Sequence, residues 1–581
     1  MVRKNKDWNR SIIVLSAIGL VICTAVLFPQ VRSLILNYLA EHVIHKDTSI
    51  NHVWNGLFFK FAIIGIFAIL FFDFCTLANS GKLLIHKLRT EINDCLSKID
   101  FRSFLKPSFI LLGVYLLGVL TIIRANFSYK DDVWRVAEGS RQWFSWSRYV
   151  SEFLSIFIHG DTRLTDISPM PQLLAILILA VSSVLLVYVL TGKITVTRLL
   201  ASIPLGLSPY FLECLSYKFD SPYTALSVLA SIFPFLFSAR KKVFLLISIV
   251  SLLIMCMTYQ PASGIYMLIV VILCFQKWNR REKTNKEILS FFGIAVFAFC
   301  FTLLAFRFFL MKPVSQDASY AQTSMLPAAQ LITGTLSNIK VYAVTIIHDF
   351  GIIWKIGILL VLFFFIAKSV SNSAQQKIIS FFFIFTVIVI SFLLSYGVYS
   401  LLQKPLYAPR ALLGFGVFLA IICIYTVSDF KKISTILVLA LNWCLFVFAF
   451  SYGNALADQA RYAEFRIGIL THDLSALYPI ASKDSMSIQI ENSIDFAPSI
   501  KNIAKHNPVI ERLVPSRLSD AKLDYMYFLT YFNDDRFFAN NEEAKDQKNI
   551  NYSSLNLPVV LDSYYHTIKS DGIHLLIVLK H

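Results

Sequence analysis

Long apolar stretches alternate with short polar segments along most of this chain. An α-helix needs about 20 mainly apolar residues to cross a hydrocarbon core about 30 Å thick, where it satisfies its own backbone hydrogen bonds. Thirteen stretches meet this need, although those at 197–213 and 263–276 are short or interrupted by Pro or Gly. They lie at 11–28, 54–78, 107–123, 171–191, 197–213, 222–238, 243–258, 263–276, 288–306, 350–367, 378–400, 411–427 and 433–451. The pattern predicts an all-α polytopic membrane protein with about 13 transmembrane helices.

Lysine and arginine are concentrated on one side of these predicted spans. The basic positions are Arg3, Lys4, Lys6 and Arg10, the segment 80–106, Arg240 to Lys242, the segment 277–283, and Lys431 with Lys432. Cytoplasmic loops of membrane proteins carry an excess of Lys and Arg, so we expect the N-terminus in the cytoplasm. The net charge of +17 is then a topology signal, and we expect no nucleic-acid partner.

Composition agrees with this class and excludes others. Hydrophobic residues make up 56% of the 581 residues and charged residues only 15%, which is more apolar surface than a soluble domain buries. The 51 phenylalanines exclude intrinsic disorder. None of the nine cysteines has the CxxC or Cys/His spacing of a metal site, so we interpret them as small hydrophobic residues.

Three parts of the chain are expected. Residues 1–106 form an N-terminal membrane extension with an amphipathic helix at 80–106 on the cytoplasmic leaflet, and residues 107–451 form the transmembrane core. An odd number of crossings places residues 452–581 on the extracytoplasmic side. A helix from Ala455 to about Leu477, and two strands within 557–580 around a Ser-Asp-Gly turn, predict a small α/β domain there.

Polar clusters on the extracytoplasmic side carry the candidate chemistry. The longest loop there, 124–170, contains the adjacent carboxylates Asp131 and Asp132 among several Trp and Arg residues. Adjacent residues point in different directions, so one carboxylate is able to act as a general base while its neighbour holds the structure. The alternative interpretation is an interfacial loop with solvated charges and an aromatic belt.

Short motifs in a fixed order reveal a family resemblance. The run Tyr129 to Asp132 is followed by Arg135, Gly139 and Arg148. The later blocks are 166–172, 209–213, 215–221, 259–263 and 452–456. Together they resemble the Gtr-type serotype-converting glucosyltransferases of bacterial O-antigen, from about residue 107 to the end. Residues 1–106 precede the resemblance, and this leaves open the helix count of the shared core.

The resemblance implies a GT-C type glycosyltransferase of the bacterial inner membrane, with its C-terminal domain in the periplasm. It implies transfer of a hexose, at the family level glucose, from a polyprenyl-phosphate carrier to the O-antigen of lipopolysaccharide. An Asp of the first large outer loop is the expected base, and the position falls on Asp131 or Asp132 without ranking them. The candidate substrate-binding residues are Arg124, Arg135, Arg148, Tyr217, Lys218, Asp220, Gln260 and Arg410.

A single displacement with anomeric inversion would use these groups. The base takes a proton from the acceptor hydroxyl, and the lipid phosphate leaves against Lys218 and Arg410. No nucleotide-binding glycine motif is present, so no nucleotide site is expected, and a divalent cation is left open as a cofactor. Adjacent Asp residues are able to bind a divalent cation, but the chain offers no evident third ligand. A transporter or flippase for lipid-linked sugars and an O-antigen polymerase or ligase are the alternatives.

Overall fold

The computed structural model describes residues 89–97, 99–311, 324–427, 432–477, 487–518 and 552–580. The predicted spans at 11–28 and 54–78 lie outside the described residues. The chain divides into two units, Met1–Ile99 and Asp100–His581, and all elements numbered below belong to the second unit. Within the predicted amphipathic helix at 80–106, the described residues form a helix at 89–97, and the next helix begins at Arg102.

Helices build most of the second unit. Proline occupies the first turn of several of them, where its missing N–H costs no hydrogen bond. The helices are α1 (Arg102–Ala125), α2 (Asp131–Glu138), α3 (Tyr149–His159), α4 (Met170–Thr191), α5 (Val196–Ala201), α6 (Pro204–Leu207), α7 (Pro209–Ser216), α8 (Ser221–Ile232), α9 (Lys241–Cys256), α10 (Ser263–Asn279), α11 (Asn285–Ala305), α12 (Leu331–Asp349), α13 (Ile352–Ser371), α14 (Lys377–Leu394), α15 (Gly414–Thr426), α16 (Lys432–Leu477), α17 (Pro498–Ala504) and α18 (Val509–Leu513).

Eight helices in the described part of the chain are long and apolar enough to cross a membrane. They are Arg102–Ala125, Met170–Thr191, Gln260–Asn279, Asn285–Leu310, Ile352–Ser371, Lys377–Leu394, Pro409–Thr426 and Ile433–Leu477. The predicted span at 197–213 is broken: α5 and α6 meet α7 at 60°, and the pair forms at most one further crossing. The predicted span at 222–238 folds as the shorter apolar helix Ser221–Phe237, and the predicted span at 243–258 as the 16-residue α9.

The helices α1 and α16 pack closely enough to require a small residue. Gly453 of α16 lies against the backbone of α1, where an added Cβ would meet Thr121 Oγ1 at 2.4 Å and the Ile122 nitrogen at 2.6 Å. The Thr121 hydroxyl donates to the Ala449 carbonyl oxygen across the same interface, at 3.2 Å. This contact anchors the helix that precedes the loop at 124–170.

A single 46-residue helix, α16, leads from the membrane core into the C-terminal part of the chain. The sequence predicts a span at 433–451 and a separate helix from Ala455, whereas the structure joins them without a break. The residues between them, Tyr452 to Asn454, contain no proline to interrupt the backbone hydrogen bonds. The predicted domain boundary at 451/452 therefore falls inside a helix.

The C-terminal part of the chain contains a four-stranded sheet. Its strands are β1 (Ser487–Glu491), β2 (Val559–Asp562), β3 (His566–Ser570) and β4 (His574–Leu579), in the order β1-β4-β3-β2. The pair β1 and β4 is parallel, and the other neighbours are antiparallel. The hairpin of β3 and β4 confirms the predicted pair of strands, with β2 added at the edge. Apolar side chains of β3 and β4 pack against the second half of α16.

Helices α2, α3, α12, α17 and α18 lie in segments without a predicted element. Helix α3 lies inside the loop at 124–170, and α12 precedes the span of α13. The Asn338 side chain of α12 donates to the carbonyl oxygens of Ser400 and Leu402, at 3.0 and 2.8 Å. These bonds fix the segment that leads to Arg410.

Candidate active site

The loop at 124–170 is folded rather than extended, and this decides which of its acidic side chains face outward. Helix α2 begins at Asp131, after Lys130 adopts a positive φ of 41° that ends the preceding segment. The Asp131 side chain is exposed, whereas Asp132 is completely buried. The adjacent carboxylates thus point to different surroundings, as expected for neighbouring positions on a helix.

Asp132 connects the loop to the segment before α8. Its Oδ2 accepts hydrogen bonds from the backbone nitrogens of Tyr129 and Lys218, each at 3.1 Å, while no hydrogen-bond partner of Oδ1 is found in the described structure. Burial raises the pKa of the Asp132 carboxyl to about 7. The contacts of Asp132 are those of a residue that holds the backbone in place.

Asp131 faces a cavity of about 490 Å³. One end of the cavity is polar and carries most of the predicted site residues. Its charged and polar residues include Asp131, Arg135, Arg148, Tyr217, Asp220, Gln260, Lys404 and Arg410. Seven of these eight residues are site residues predicted from the sequence. The fold brings together side chains as far apart in the chain as Asp131 and Arg410, which are separated by 279 positions.

Asp220 organises two of the cations. Its carboxylate pairs with Arg135 and lies 3.7 Å from Arg148 Nη1, and it accepts a hydrogen bond from Trp143 Nε1 at 2.6 Å. Burial alone would raise the pKa of Asp220, but the two guanidinium groups outweigh it and hold the pKa below its usual range. The Arg148 guanidinium also lies 4.9 Å above the Tyr259 ring. Both arginines are thereby fixed in direction.

Glu213 organises a second pair of cations. This carboxylate is completely buried and lies 3.3 Å from Arg410 Nη1 and 3.6 Å from Lys130 Nζ. Arg410 also donates its backbone N–H to Glu213, and its guanidinium lies 5.3 Å from the centre of the Tyr217 ring. The buried Glu213 carboxylate is thus paired with Arg410 and Lys130.

Apart from Arg307, the other end of the cavity is mainly apolar. Its wall includes side chains from α11 and from the segment before Arg410, together with several sulfur-containing residues. Examples are Phe299, Cys300, Leu303, Leu304, Phe306, Met311, Met325, Leu401, Leu402 and Leu406. An amphiphilic ligand with an anionic head and a hydrocarbon chain would meet a matching surface along the whole cavity.

Three predicted site residues lie away from the cavity lining. Lys218 directs its ammonium group to Asp166, with Nζ 3.2 Å from Oδ2, and its side chain is only 3% exposed. Arg124 donates to the Asn454 side chain at the start of the C-terminal part. Asp132, the second residue of α2, is completely buried. Each of these three groups is engaged by the protein itself.

Several residues that line the cavity were not singled out as site residues in the sequence. Lys404, Tyr399 and Trp146 lie at the polar end, and α11 supplies much of the apolar wall. An apolar side chain that faces a cavity has the same sequence pattern as one that faces lipid. The sequence of α11 therefore did not indicate that this helix lines a binding site. Among the residues that the structure describes, no group of three or more His, Cys, Asp or Glu side chains is arranged to hold a metal ion.

Comparisons with known proteins bear on this site directly. The model of the family described as Glucosyl transferase GtrII matches residues 120–421, which is more than half of the chain and contains every residue of the cavity lining. An uncharacterised 55.3 kDa protein of the gtrB 5′ region of Salmonella phage P22 is 24% identical over 438 residues, which cover 72% of this chain and 87% of the phage protein. No solved structure matches the chain significantly.

Proposed function

The chain belongs to the Glucosyl transferase GtrII family and is a glucosyltransferase, and on this premise we propose its donor, acceptor and mechanism. The donor is a polyprenyl-phosphate glucose. The acceptor is a hydroxyl group of the lipopolysaccharide O-antigen, on the periplasmic face of the bacterial inner membrane. The reaction is a single displacement that inverts the anomeric carbon.

The observation that carries this proposal is the amphipathic cavity. Asp131 and three arginines lie at its polar end, and the side chains of α11 lie at its apolar end. A lipid-linked sugar has the same order of parts: a hydrocarbon chain, a phosphate and a sugar. Such a donor would place its phosphate near the arginines and its anomeric carbon toward Asp131.

Each polar group has a proposed role. Asp131 accepts the proton of the acceptor hydroxyl as that oxygen bonds to the anomeric carbon, and the bond from carbon to phosphate oxygen breaks. Arg410 and Arg148 stabilise the departing phosphate, whose charge rises from −1 in the diester to about −2 in the monoester. Tyr217 and Gln260 bind the sugar hydroxyls.

The geometry changes the sequence hypothesis in two respects. Asp131 is the proposed base and Asp132 a positioning residue, because only Asp131 lines the cavity. Arg148 replaces Lys218 as the second cation for the phosphate, since Lys218 pairs with Asp166. The roles of Glu213 and Asp220 are to hold these cations in place without neutralising all of them.

The test is a reconstituted transfer assay with the full-length chain in liposomes, polyprenyl-phosphate glucose and purified O-polysaccharide. We expect new glucosidic bonds of inverted anomeric configuration and release of polyprenyl phosphate, with no nucleotide sugar added. Retention of configuration would contradict the single displacement. Movement of the lipid-linked sugar across the bilayer without a new glycosidic bond would favour a transporter instead.

A further inference from the structure

A short part of the C-terminal domain contacts the core on two sides of the cavity. We call residues 506–517 the bracing segment; it contains α18. Its first contact is a close one, since a Cβ on Gly351, just before α13, would meet the His506 carbonyl oxygen at 2.2 Å. The backbone of the bracing segment is therefore seated directly on the core.

One side of the bracing segment holds the loop that carries the base. The Leu513 carbonyl oxygen accepts a hydrogen bond from the Tyr129 hydroxyl, two residues before Asp131. Arg517 donates to the Ser128 carbonyl oxygen at 2.6 Å. The donor and acceptor residues of both bonds are buried, so water does not easily replace either partner.

The other side holds the segment that carries Arg410. The guanidinium of Arg512 donates through Nη2 to the Tyr407 carbonyl oxygen, three residues before Arg410. Through Nη1 the same group pairs with Asp349, which is 1% exposed at the end of α12. The Tyr210 hydroxyl donates to the same oxygen of Asp349, at 2.9 Å.

A guanidinium suits this position for a physical reason. Its planar fork reaches a carboxylate and a carbonyl oxygen at the same time, whereas a lysine ammonium on its flexible stem is a point charge with no such fixed geometry. Asp349 is buried and pairs with Arg512, so that loss of Arg512 leaves a buried carboxylate without its ion-pair partner. The contact thus joins α12, the segment before Arg410 and the C-terminal domain.

We propose that Arg512 is a positioning residue, which sets the separation of the two polar walls of the cavity by tying the bracing segment to Tyr407 and Asp349. The inference rests on the proposed function, because the walls in question carry the base and the phosphate-binding arginine. The C-terminal domain is then a part of the catalytic framework and more than a platform for the polysaccharide. A misplacement of about 1 Å between reacting groups costs about 100-fold in rate.

The kinetic test compares Arg512→Met with Lys501→Met in the reconstituted enzyme. Lys501 lies in α17 and makes an exposed ion pair with Asp495, so its loss matches the lost charge without touching the core. We expect kcat of Arg512→Met to fall about 10- to 100-fold, with the KM for the donor changed less than about threefold because the apolar wall is intact. Lys501→Met is expected to stay within about twofold of the parent.

Hydrogen exchange gives a readout that does not depend on activity. In Arg512→Met, peptides covering 127–133 and 406–412 are expected to exchange about threefold faster or more, while the sheet of β3 and β4 keeps its protection. Unchanged exchange in both peptides would overturn the inference, and so would uniform acceleration over the whole chain. If the parent chain transferred no glucose, the proposed function would be wrong. The exchange pattern would still show whether Arg512 holds the two peptides in place.

Two further variants separate positioning from simple loss of stability. Arg512→Lys keeps a positive charge near Asp349 and is expected to recover part of kcat, with the peptide at 406–412 still exchanging faster. Arg512→Met with Asp349→Asn removes the buried carboxylate together with its partner, so folding recovers but kcat stays low. Full recovery of kcat in this double variant would show that Arg512 acts through stability alone.

Discussion

At the scale of single residues, two neighbouring carboxylates have received opposite surroundings. Asp131 is exposed to the cavity, and Asp132 is enclosed and accepts two backbone N–H groups. The sequence predicted different directions for the pair but gave no ranking, because the direction depends on where α2 begins. That start follows the positive φ of Lys130, which a sequence pattern does not reveal.

The buried carboxyl of Asp132 makes stability depend on pH. Its pKa is raised by burial from 3.8 to about 7, so between these values the native carboxyl retains a proton that the unfolded one has released. Its stabilising contribution is therefore complete below about pH 4 and lost as the pH rises through about 7. Asp132→Asn removes this dependence and keeps the oxygen that accepts the two N–H groups.

The measurement is the apparent Tm of both chains at a fixed heating rate, at pH 5 and pH 8. We expect the Tm of Asp132→Asn relative to the parent to rise by about 2–4 °C between these pH values. A difference that is the same at both pH values would show that the Asp132 carboxyl does not titrate in this range.

At the scale of elements, the sequence predicted the long apolar helices well and the amphipathic ones poorly. Helix α12 was not predicted because Asn338 and Lys340 interrupt its apolar residues. Asn338 is also the residue that holds the segment before Arg410. The break between α6 and α7 occurs at Ser208, which caps α7 by accepting from the Phe211 nitrogen at 3.4 Å. A cap of this kind depends on local sequence. The 60° angle between the helices before and after Ser208 depends instead on the packing around them.

The contact between α1 and α16 predicts opposite effects for two glycines of one helix. Gly453→Ala would place a methyl group against the backbone of α1 and is expected to destabilise the protein by about 1–3 kcal/mol. Gly468→Ala lies further along α16 with open space around its Cβ position, so it is expected to stabilise by up to about 1 kcal/mol. Apparent Tm in detergent checks both, and an equal effect of the two variants would contradict the close packing.

At the scale of the whole molecule, the site is assembled from segments far apart in sequence. The motifs identified most of the polar lining because each one contains a charged or aromatic side chain at the end of an apolar run. Lys218, which the sequence predicts as a phosphate-binding cation, follows the cavity residue Tyr217 directly, but its ammonium group turns to Asp166. The position of Lys218 in the chain predicted that it lies near the cavity. The direction of its side chain could be read only from the folded structure.

The proposed orientation of the chain in the membrane is tested by labelling spheroplasts, which lack an intact outer membrane, with a membrane-impermeant maleimide. Arg163→Cys is exposed within the loop at 124–170, and Lys286→Cys is exposed near the start of α11. We expect Arg163→Cys to react above the background of the parent chain, and Lys286→Cys to react only after the inner membrane is opened. The reverse pattern would place the cavity on the cytoplasmic side and remove the proposed acceptor.

The central claim is that Asp131 accepts the proton of the acceptor while the donor occupies the amphipathic cavity. The most direct measurement is single-turnover transfer from polyprenyl-phosphate glucose by Asp131→Asn and Asp132→Asn, each compared with the parent. We expect Asp131→Asn to lose about 100-fold to 10,000-fold in rate with donor binding retained, and Asp132→Asn to lose at most about tenfold. Transfer by Asp131→Asn at the parent rate would contradict the account.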